Sequence, residues 1–116
     1  MSDSVKLYNL LTYWIQNAET LLKERATYLR GKFGDLEKRV FGTEVSVRVQ
    51  NPLAMLYDRA RNSLVHYASY KDSSLEGLTD EVAAARNPYK LLQNAQEAFS
   101  KIPQPLRIGK ENKIKI

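Results

Sequence analysis

Residues 51–67 read NPLAMLYDRARNSLVHY, and this stretch predicts an amphipathic helix. Asn51 followed by Pro52 is typical of a helix start, because asparagine caps free N–H groups and proline fits the first helical position. At about 100° per residue, one side of the helix collects the apolar side chains. These are Leu53, Leu56, Tyr57, Ala60, Leu64 and Tyr67. We therefore predict a helix over residues 52–70 whose apolar side faces a core.

A long helix is predicted before this stretch, over residues 4–30. Ser4 is its expected N-cap, and Gly31 and Gly34 are expected to end it. Apolar residues recur at steps of three and four, which draws one stripe along the helix. The stripe consists of Leu7, Leu11, Trp14, Ala18, Leu21, Leu22 and Leu29.

Shorter helical segments complete the pattern. The expected segments are a turn from Asp35 to Gly42, a helix over 79–86 capped by Thr79 after a loop at 71–79, and a helix over 88–102 that begins at Asn87-Pro88. Pro103 and Pro105 end the last of these, because proline cannot continue a helix. Apolar stripes on several helices bury one another most simply in an antiparallel bundle.

Two segments outside these helices have the alternating pattern of strands. Val45, Val47 and Val49 alternate with polar residues at a period of two. A single strand is not stable alone, and the expected partner is the C-terminal segment 106–116, which reads as two short runs around a turn. The alternative is that this segment is a basic tail, since Arg107, Lys110, Lys113 and Lys115 stand against Glu111 alone.

The predicted fold is therefore all-α: a small antiparallel helical bundle, with a minor β element from residues 45–49 and 106–116 as an option. Residues 1–105 are expected to form a single helical domain, because 116 residues match the usual size of one domain. Residues 106–116 form either the basic tail or a short hairpin.

Composition excludes several classes of site. The chain has no cysteine and one histidine, so disulfides, thiolate zinc sites and cysteine nucleophiles are excluded, and neither a metal nor a cofactor is expected. We expect no secretory leader, because the N-terminal residues have neither a basic leader nor a small-residue cleavage site. No apolar run approaches the roughly 20 residues of a membrane span. We expect a cytoplasmic protein. The formal net charge of +5 favours an acidic partner, most often nucleic acid.

The polar side of the helix over 52–70 carries the residues closest to chemistry. Asn62 and His66 lie one turn apart opposite the apolar side, with Arg59 beside them, while Arg61 lies at the edge of the apolar side. The simplest interpretation is a solvated polar face, as amphipathic helices generally have. The alternative is a reaction or binding site.

The residues Arg61-Asn62-x-x-x-His66, followed by Tyr67, resemble the R-N-x-x-x-H motif of HEPN domains. The resemblance implies a small all-helical domain, and many such domains are dimeric, metal-independent endoribonucleases of toxin–antitoxin and other defence systems. The match covers six or seven residues. This chain has Ala68 where the family often has an aromatic residue, and a helical region of about 30 residues follows the motif.

The chemistry of RNA cleavage suits these side chains. Histidine titrates near neutral pH and can act as general acid or base toward the 2′-hydroxyl or the leaving oxygen. Arg61 would stabilise charge on the phosphate, and Asn62 would orient His66. Because one histidine supplies half of an acid–base pair, we expect a homodimer or larger assembly. The competing hypothesis is a non-catalytic helical subunit that binds nucleic acid, RNA favoured, through basic residues: Arg59, Arg107, Lys110, Lys113 and Lys115.

Two further features have alternative interpretations. The segment 22–39 mixes basic and acidic residues, which most simply solvate a helix face, with a phosphate-binding strip as the alternative. The seven tyrosines most simply edge the helical core. Stacking of nucleic-acid bases on exposed tyrosines is the alternative.

Overall fold

The computed structural model describes residues 1–71 and 87–105 of the chain. Within them lie five helices: α1 (Asp3–Asn17), α2 (Lys23–Phe41), α3 (Val45–Arg48), α4 (Pro52–Lys71) and α5 (Tyr89–Ser100). No strand occurs in these two ranges, and none of their helices is long and apolar enough to cross a membrane. The predicted all-α class is confirmed.

Neighbouring helices run in opposite directions. A short turn reverses the chain between α1 and α2. Phe41 at the end of α2 packs against Tyr57 near the start of α4, with ring centroids 5.7 Å apart. Tyr67 near the end of α4 packs against Tyr89 at the start of α5, at 6.0 Å. The helices therefore form the antiparallel bundle that the apolar stripes predict.

The centre of the bundle is aromatic. Phe33 of α2 is fully buried, and its ring centroid lies 6.1 Å from that of Trp14 on α1 and 6.1 Å from that of Tyr57 on α4. Leucines and alanines of all four long helices surround these rings. Removal of this apolar surface from water is the main stabilising contribution to the fold.

The prediction of one helix over residues 4–30 is wrong, because the chain turns at 18–22 between α1 and α2. The apolar stripe continues across this turn, so periodicity alone does not reveal it. The N-cap prediction is also wrong by two residues. Ser2 rather than Ser4 caps α1, and the Ser2 Oγ accepts a hydrogen bond of 3.2 Å from the Val5 N–H.

A lysine from a distant helix closes this turn. Lys71 Nζ donates hydrogen bonds to the carbonyl oxygens of Ala18 (3.1 Å), Glu19 (3.2 Å) and Leu21 (2.7 Å). These carbonyls follow the last turn of α1, where intrahelical partners are lacking. A cation at a helix C-terminus is also favoured by the helix dipole. The end of α4 therefore fixes the position where α1 stops.

The predicted helix end at Gly31 and Gly34 is wrong as well, since α2 continues through both glycines to Phe41. The expected short turn after Asp35 is simply the last part of α2. Gly42, which the sequence predicts as a stop, does end the helix, and its φ of 85° favours glycine. Burial of Phe33, which lies between the two glycines, offsets their weak helix propensity of about 1 kcal/mol each.

We expect Gly31→Ala and Gly34→Ala each to stabilise the protein by about 0.5–1 kcal/mol, because alanine loses less backbone entropy in a helix. Apart from the neighbouring residues and the backbone of α2 itself, a Cβ added at either glycine meets no atom within 4 Å. Urea unfolding followed by circular dichroism measures the change. Gly42→Ala is the control, and it should destabilise the protein because its φ is positive. Destabilisation by both helical substitutions would contradict a helix through Gly31 and Gly34.

The β prediction for residues 45–49 is wrong, because Val45–Arg48 form the short helix α3. The valine side chains are exposed rather than arranged on a buried strand face. An alternating run of only five residues does not distinguish a strand from a turn of helix when no partner strand is paired with it. The proposed partner, 106–116, lies outside the described residues, as do the predicted loop from residue 72 and the helix over 79–86.

The helices that begin at Asn-Pro pairs are confirmed. For α4 the predicted range of 52–70 differs from the observed one by a single residue, and Asn51 Oδ1 accepts hydrogen bonds from the Leu53 N–H (3.0 Å) and the Ala54 N–H (3.3 Å). The second of these helices, α5, begins after Pro88 and has no side-chain cap. The prediction that Asn87 caps it is therefore wrong, because the chain at Pro88 is already helical.

Candidate nucleic-acid interface

The outer side of α4 carries three of the predicted site residues. Arg59 and Asn62 are exposed, and His66 is half-buried with its ring against Tyr70, at a centroid distance of 6.2 Å. An open cleft of about 370 Å³ is lined by Met55, Asp58, Arg59, Asn62, Ser63 and His66. The helix therefore brings Arg59, Asn62 and His66 to one surface, as their spacing predicts.

Arg61 does not line this cleft. Its Nη1 donates a hydrogen bond of 2.6 Å to Glu37 Oε1 on α2, and its Nη2 lies 3.4 Å from Asp58 Oδ1. Arg61 lies about 140° around the helix from His66, at the edge of the packed side of α4, and its side chain turns toward α2, where Glu37 accepts its hydrogen bond. The motif residues are thus divided between an open face and an interhelical ion pair.

Glu37 is the buried acid of this ion pair, and sequence analysis missed it. Its side chain is 1% exposed. The pKa of Glu37 is raised from 4.5 to about 8: burial is the largest cause, the Asp58 carboxyl acts in the same direction, and Arg61 and Arg48 lower it. The helical periodicity of α2 could have revealed this buried acid. The buried positions Ala26, Leu29 and Phe33 follow one another at steps of three and four residues, and the next step of four reaches Glu37.

We expect Glu37 to make stability fall as pH rises from about 5 to 9. The folded protein holds the Glu37 proton over a range in which the unfolded chain has released it, so this contribution is present below pH 4.5 and is lost as pH rises through about 8. Between these two pKa values, the contribution of Glu37 to the free energy of unfolding should fall by up to about 1.4 kcal/mol per pH unit. Urea unfolding of the wild type and of Glu37→Gln from pH 5 to 9 measures it.

The difference between these two proteins isolates the Glu37 contribution from that of other titrating groups. Glu37→Gln should gain stability relative to the wild type as pH rises, because glutamine has no proton to lose. Glu24→Gln on the exposed side of α2 is the control and should follow the wild type. Parallel curves for Glu37→Gln and the wild type would contradict a raised pKa.

Among the five helices that the structure describes, α2 carries the most basic side chains. All six of its basic side chains are exposed: Lys23, Arg25, Arg30, Lys32, Lys38 and Arg39. Of its three acids, Glu24 and Asp35 are exposed, whereas Glu37 is buried and paired with Arg61. Within residues 1–71 and 87–105, no ion pair joins the six basic side chains to an acidic residue. The exposed surface of α2 is therefore strongly positive.

These basic side chains occupy two sides of the helix. Arg25, Lys32 and Arg39 recur at seven-residue steps, which places them on one line along α2 at intervals of about 10.5 Å. Lys32 and Arg39 of this line adjoin α1. Lys23 and Arg30 lie on the other side and line a small cleft with residues of α4. The seven-residue spacing is visible in the sequence and would have predicted that these three cations share one side of a helix, which the net charge alone does not show.

The remaining predicted binding residues, Arg107, Lys110, Lys113 and Lys115, lie outside the described residues. Among the residues that the structure does describe, no group of three or more histidine, aspartate or glutamate side chains is placed to hold a metal ion. Comparison of the chain with models of protein families, with curated proteins and with solved structures found no match. Function is therefore inferred from the geometry and charge of the described residues.

Proposed function

We propose that this protein binds RNA without cleaving it, and that the basic surface of α2 supplies most of the phosphate contacts. The observation that carries this proposal is the set of six exposed basic side chains on one helix. Lysine and arginine side chains that approach phosphates release bound counterions, which drives association with nucleic acid. This charge comes from the folded domain itself and does not depend on the C-terminal segment.

The ion pair of Arg61 favours binding over cleavage. An arginine that stabilises a cleaving phosphate must reach the same phosphate as the histidine that transfers the proton. Arg61 is instead bound to Glu37 and adjoins Asp58, and it does not line the cleft of His66. Its principal contribution is then to the packing of α2 against α4.

Binding of a fluorescent RNA at several salt concentrations tests the proposal. We expect wild-type affinity to fall steeply between about 50 and 200 mM salt. In a plot of log affinity against log salt concentration, each phosphate contact should contribute a slope of about −0.7 to −0.9. Arg30→Gln/Lys32→Gln removes one cation from each side of α2 and should lower both the affinity and this slope. The matched control is Lys90→Gln/Lys101→Gln on and beside α5, which changes net charge equally.

The control should retain the wild-type salt slope. Equal losses in the two double variants would mean that net charge rather than the α2 surface determines binding. An affinity that does not change with salt, or no RNA binding at all, would contradict the proposed function.

A second candidate is the HEPN-like ribonuclease activity that the resemblance implies. The observation in its favour is that Arg59, Asn62 and His66 line one open cleft. In this alternative His66 transfers the proton, Asn62 orients it, and Arg59 takes the phosphate-stabilising role assigned to Arg61. A homodimer would supply the second histidine of an acid–base pair.

Incubation of RNA with the protein in the presence of a chelator tests this candidate. Cleavage by the wild type that His66→Ala abolishes, while Ser63→Ala retains it, would support a metal-free site on α4. Ser63 is a suitable control because it lines the same cleft and has no group that titrates near neutral pH. Intact RNA with both the wild type and His66→Ala would leave RNA binding as the function.

A further inference from the structure

A cleft of about 600 Å³ lies between α1 and α2, on the side of α2 that carries the seven-residue line of cations. Lys6 and Tyr13 of α1 line it together with Lys32 and Arg39 of α2. Asp35 is its only acidic lining residue among those described. Three cations facing one acid give the cleft a net positive charge, which attracts an anionic ligand.

Two exposed aromatic rings accompany these charges. Tyr13 in the cleft is 42% exposed, and Tyr28, one turn before Lys32 on α2, is 51% exposed. The Tyr28 ring centroid lies 4.7 Å from the Arg25 guanidinium carbon and 5.5 Å from Lys32 Nζ. Lys32 therefore links the two tyrosines, because it lines the cleft with Tyr13 and contacts the ring of Tyr28.

These tyrosines differ from those that edge the core. Tyr57 and Tyr67 are 3% and 2% exposed, so their rings are used in packing. Tyr13 and Tyr28 instead leave about half of their surface in water on a basic surface. Aromatic rings beside a row of cations are the arrangement with which proteins bind single-stranded nucleic acid, because every base has a face that can stack.

We infer that a groove made of this cleft and the adjoining ring of Tyr28 binds single-stranded nucleic acid, with bases stacked on Tyr13 and Tyr28 and phosphates beside Lys6, Lys32 and Arg39. The inference rests on the proposed function for the existence of RNA binding, and it specifies the groove and the form of the ligand. A duplex is a poorer ligand, because its bases are already stacked on one another and their faces are inaccessible to the tyrosines. An acidic peptide would use the cations but leave the rings without planar partners.

Fluorescence anisotropy with a labelled single-stranded RNA of about 12 nucleotides tests the inference on the full chain. Tyr13→Leu and Tyr28→Leu should each weaken binding roughly 5- to 150-fold, the range observed for loss of one base–aromatic stack. Tyr13→Phe and Tyr28→Phe keep the ring and should bind like the wild type. Tyr89→Leu is the matched control, because Tyr89 is 53% exposed on α5, outside the groove, and should leave affinity unchanged.

The outcomes separate this inference from the proposed function. If both leucine variants retain tight, salt-dependent binding, the inference that RNA binds in the groove is wrong, while RNA binding by the basic surface of α2 still stands. Preference for a matched duplex, or displacement of the RNA by an equal concentration of polyglutamate, would also overturn it. Absence of RNA binding by the wild type would remove the proposed function and the inference together. Circular dichroism establishes that each variant is folded, as expected for changes at exposed positions.

Discussion

Phe33→Ala should destabilise the protein by about 3–5 kcal/mol, the range for truncating a buried aromatic residue to alanine. The Phe33 ring is fully buried between Trp14 of α1 and Tyr57 of α4, so its loss leaves a cavity where three helices meet. A domain of this size has a total unfolding free energy of about 5–15 kcal/mol. The variant should therefore be close to its unfolding threshold at physiological temperature.

Thermal and urea unfolding followed by circular dichroism measure this effect, and we expect the melting temperature to fall by roughly 10–20 °C. Phe33→Leu, which refills most of the volume, should cost about 1.5 kcal/mol or less. Tyr28→Ala serves as the control on the exposed side of the same helix and should change stability by about 0.5 kcal/mol or less. A loss below about 1 kcal/mol for Phe33→Ala would contradict the packing of α2 between α1 and α4.

Arg61→Met should cost about 2–4 kcal/mol at neutral pH, because it leaves the Glu37 carboxyl buried without its cationic donor. The cost should be greater at pH 9 than at pH 6, since Glu37 can take up a proton at the lower pH. The double variant Glu37→Met/Arg61→Met should recover most of the lost stability, because paired apolar replacements leave no buried polar group behind. Unfolding in urea at both pH values completes this double-mutant cycle.

The cycle also separates a structural role of Arg61 from a functional one. If Arg61 acts through packing, the double variant should bind RNA like the wild type once its fold is restored. Asn62→Ala, next to Arg61 on the exposed side of α4, is the stability control and should be nearly neutral. Stabilities of Arg61→Met and the wild type that agree within about 0.5 kcal/mol would contradict a structural ion pair with Glu37.

Much of the local structure follows from the sequence of each segment. The Asn51-Pro52 start, the apolar side of α4 and the stop at Gly42 are all set by residues within a few positions of one another. Caps, glycine stops and helical periodicity act over one or two turns, so they are readable without knowledge of the partner helix. The all-α class and the division of α4 into an inner and an outer side come from these local signals.

The site required more than local signals. Spacing on α4 predicts that Asn62 and His66 share a face, and they do line one cleft. The same spacing places Arg61 only at an edge, and a side chain at an edge can turn either way. Its direction depends on Glu37, which is distant in sequence and reaches Arg61 only when α2 packs against α4.

The sequence by itself therefore determined the helical class, the start and sides of α4, and the polar residues that its outer side presents. Tertiary structure decided where α1 ends, because Lys71 must reach across the bundle to close the turn. It also carried α2 through Gly31 and Gly34, since burying Phe33 outweighs two weak helix formers. The physical reason is that helix propensity and capping are worth about 1 kcal/mol per residue, whereas truncating a core side chain, or removing one partner of a buried ion pair, costs several.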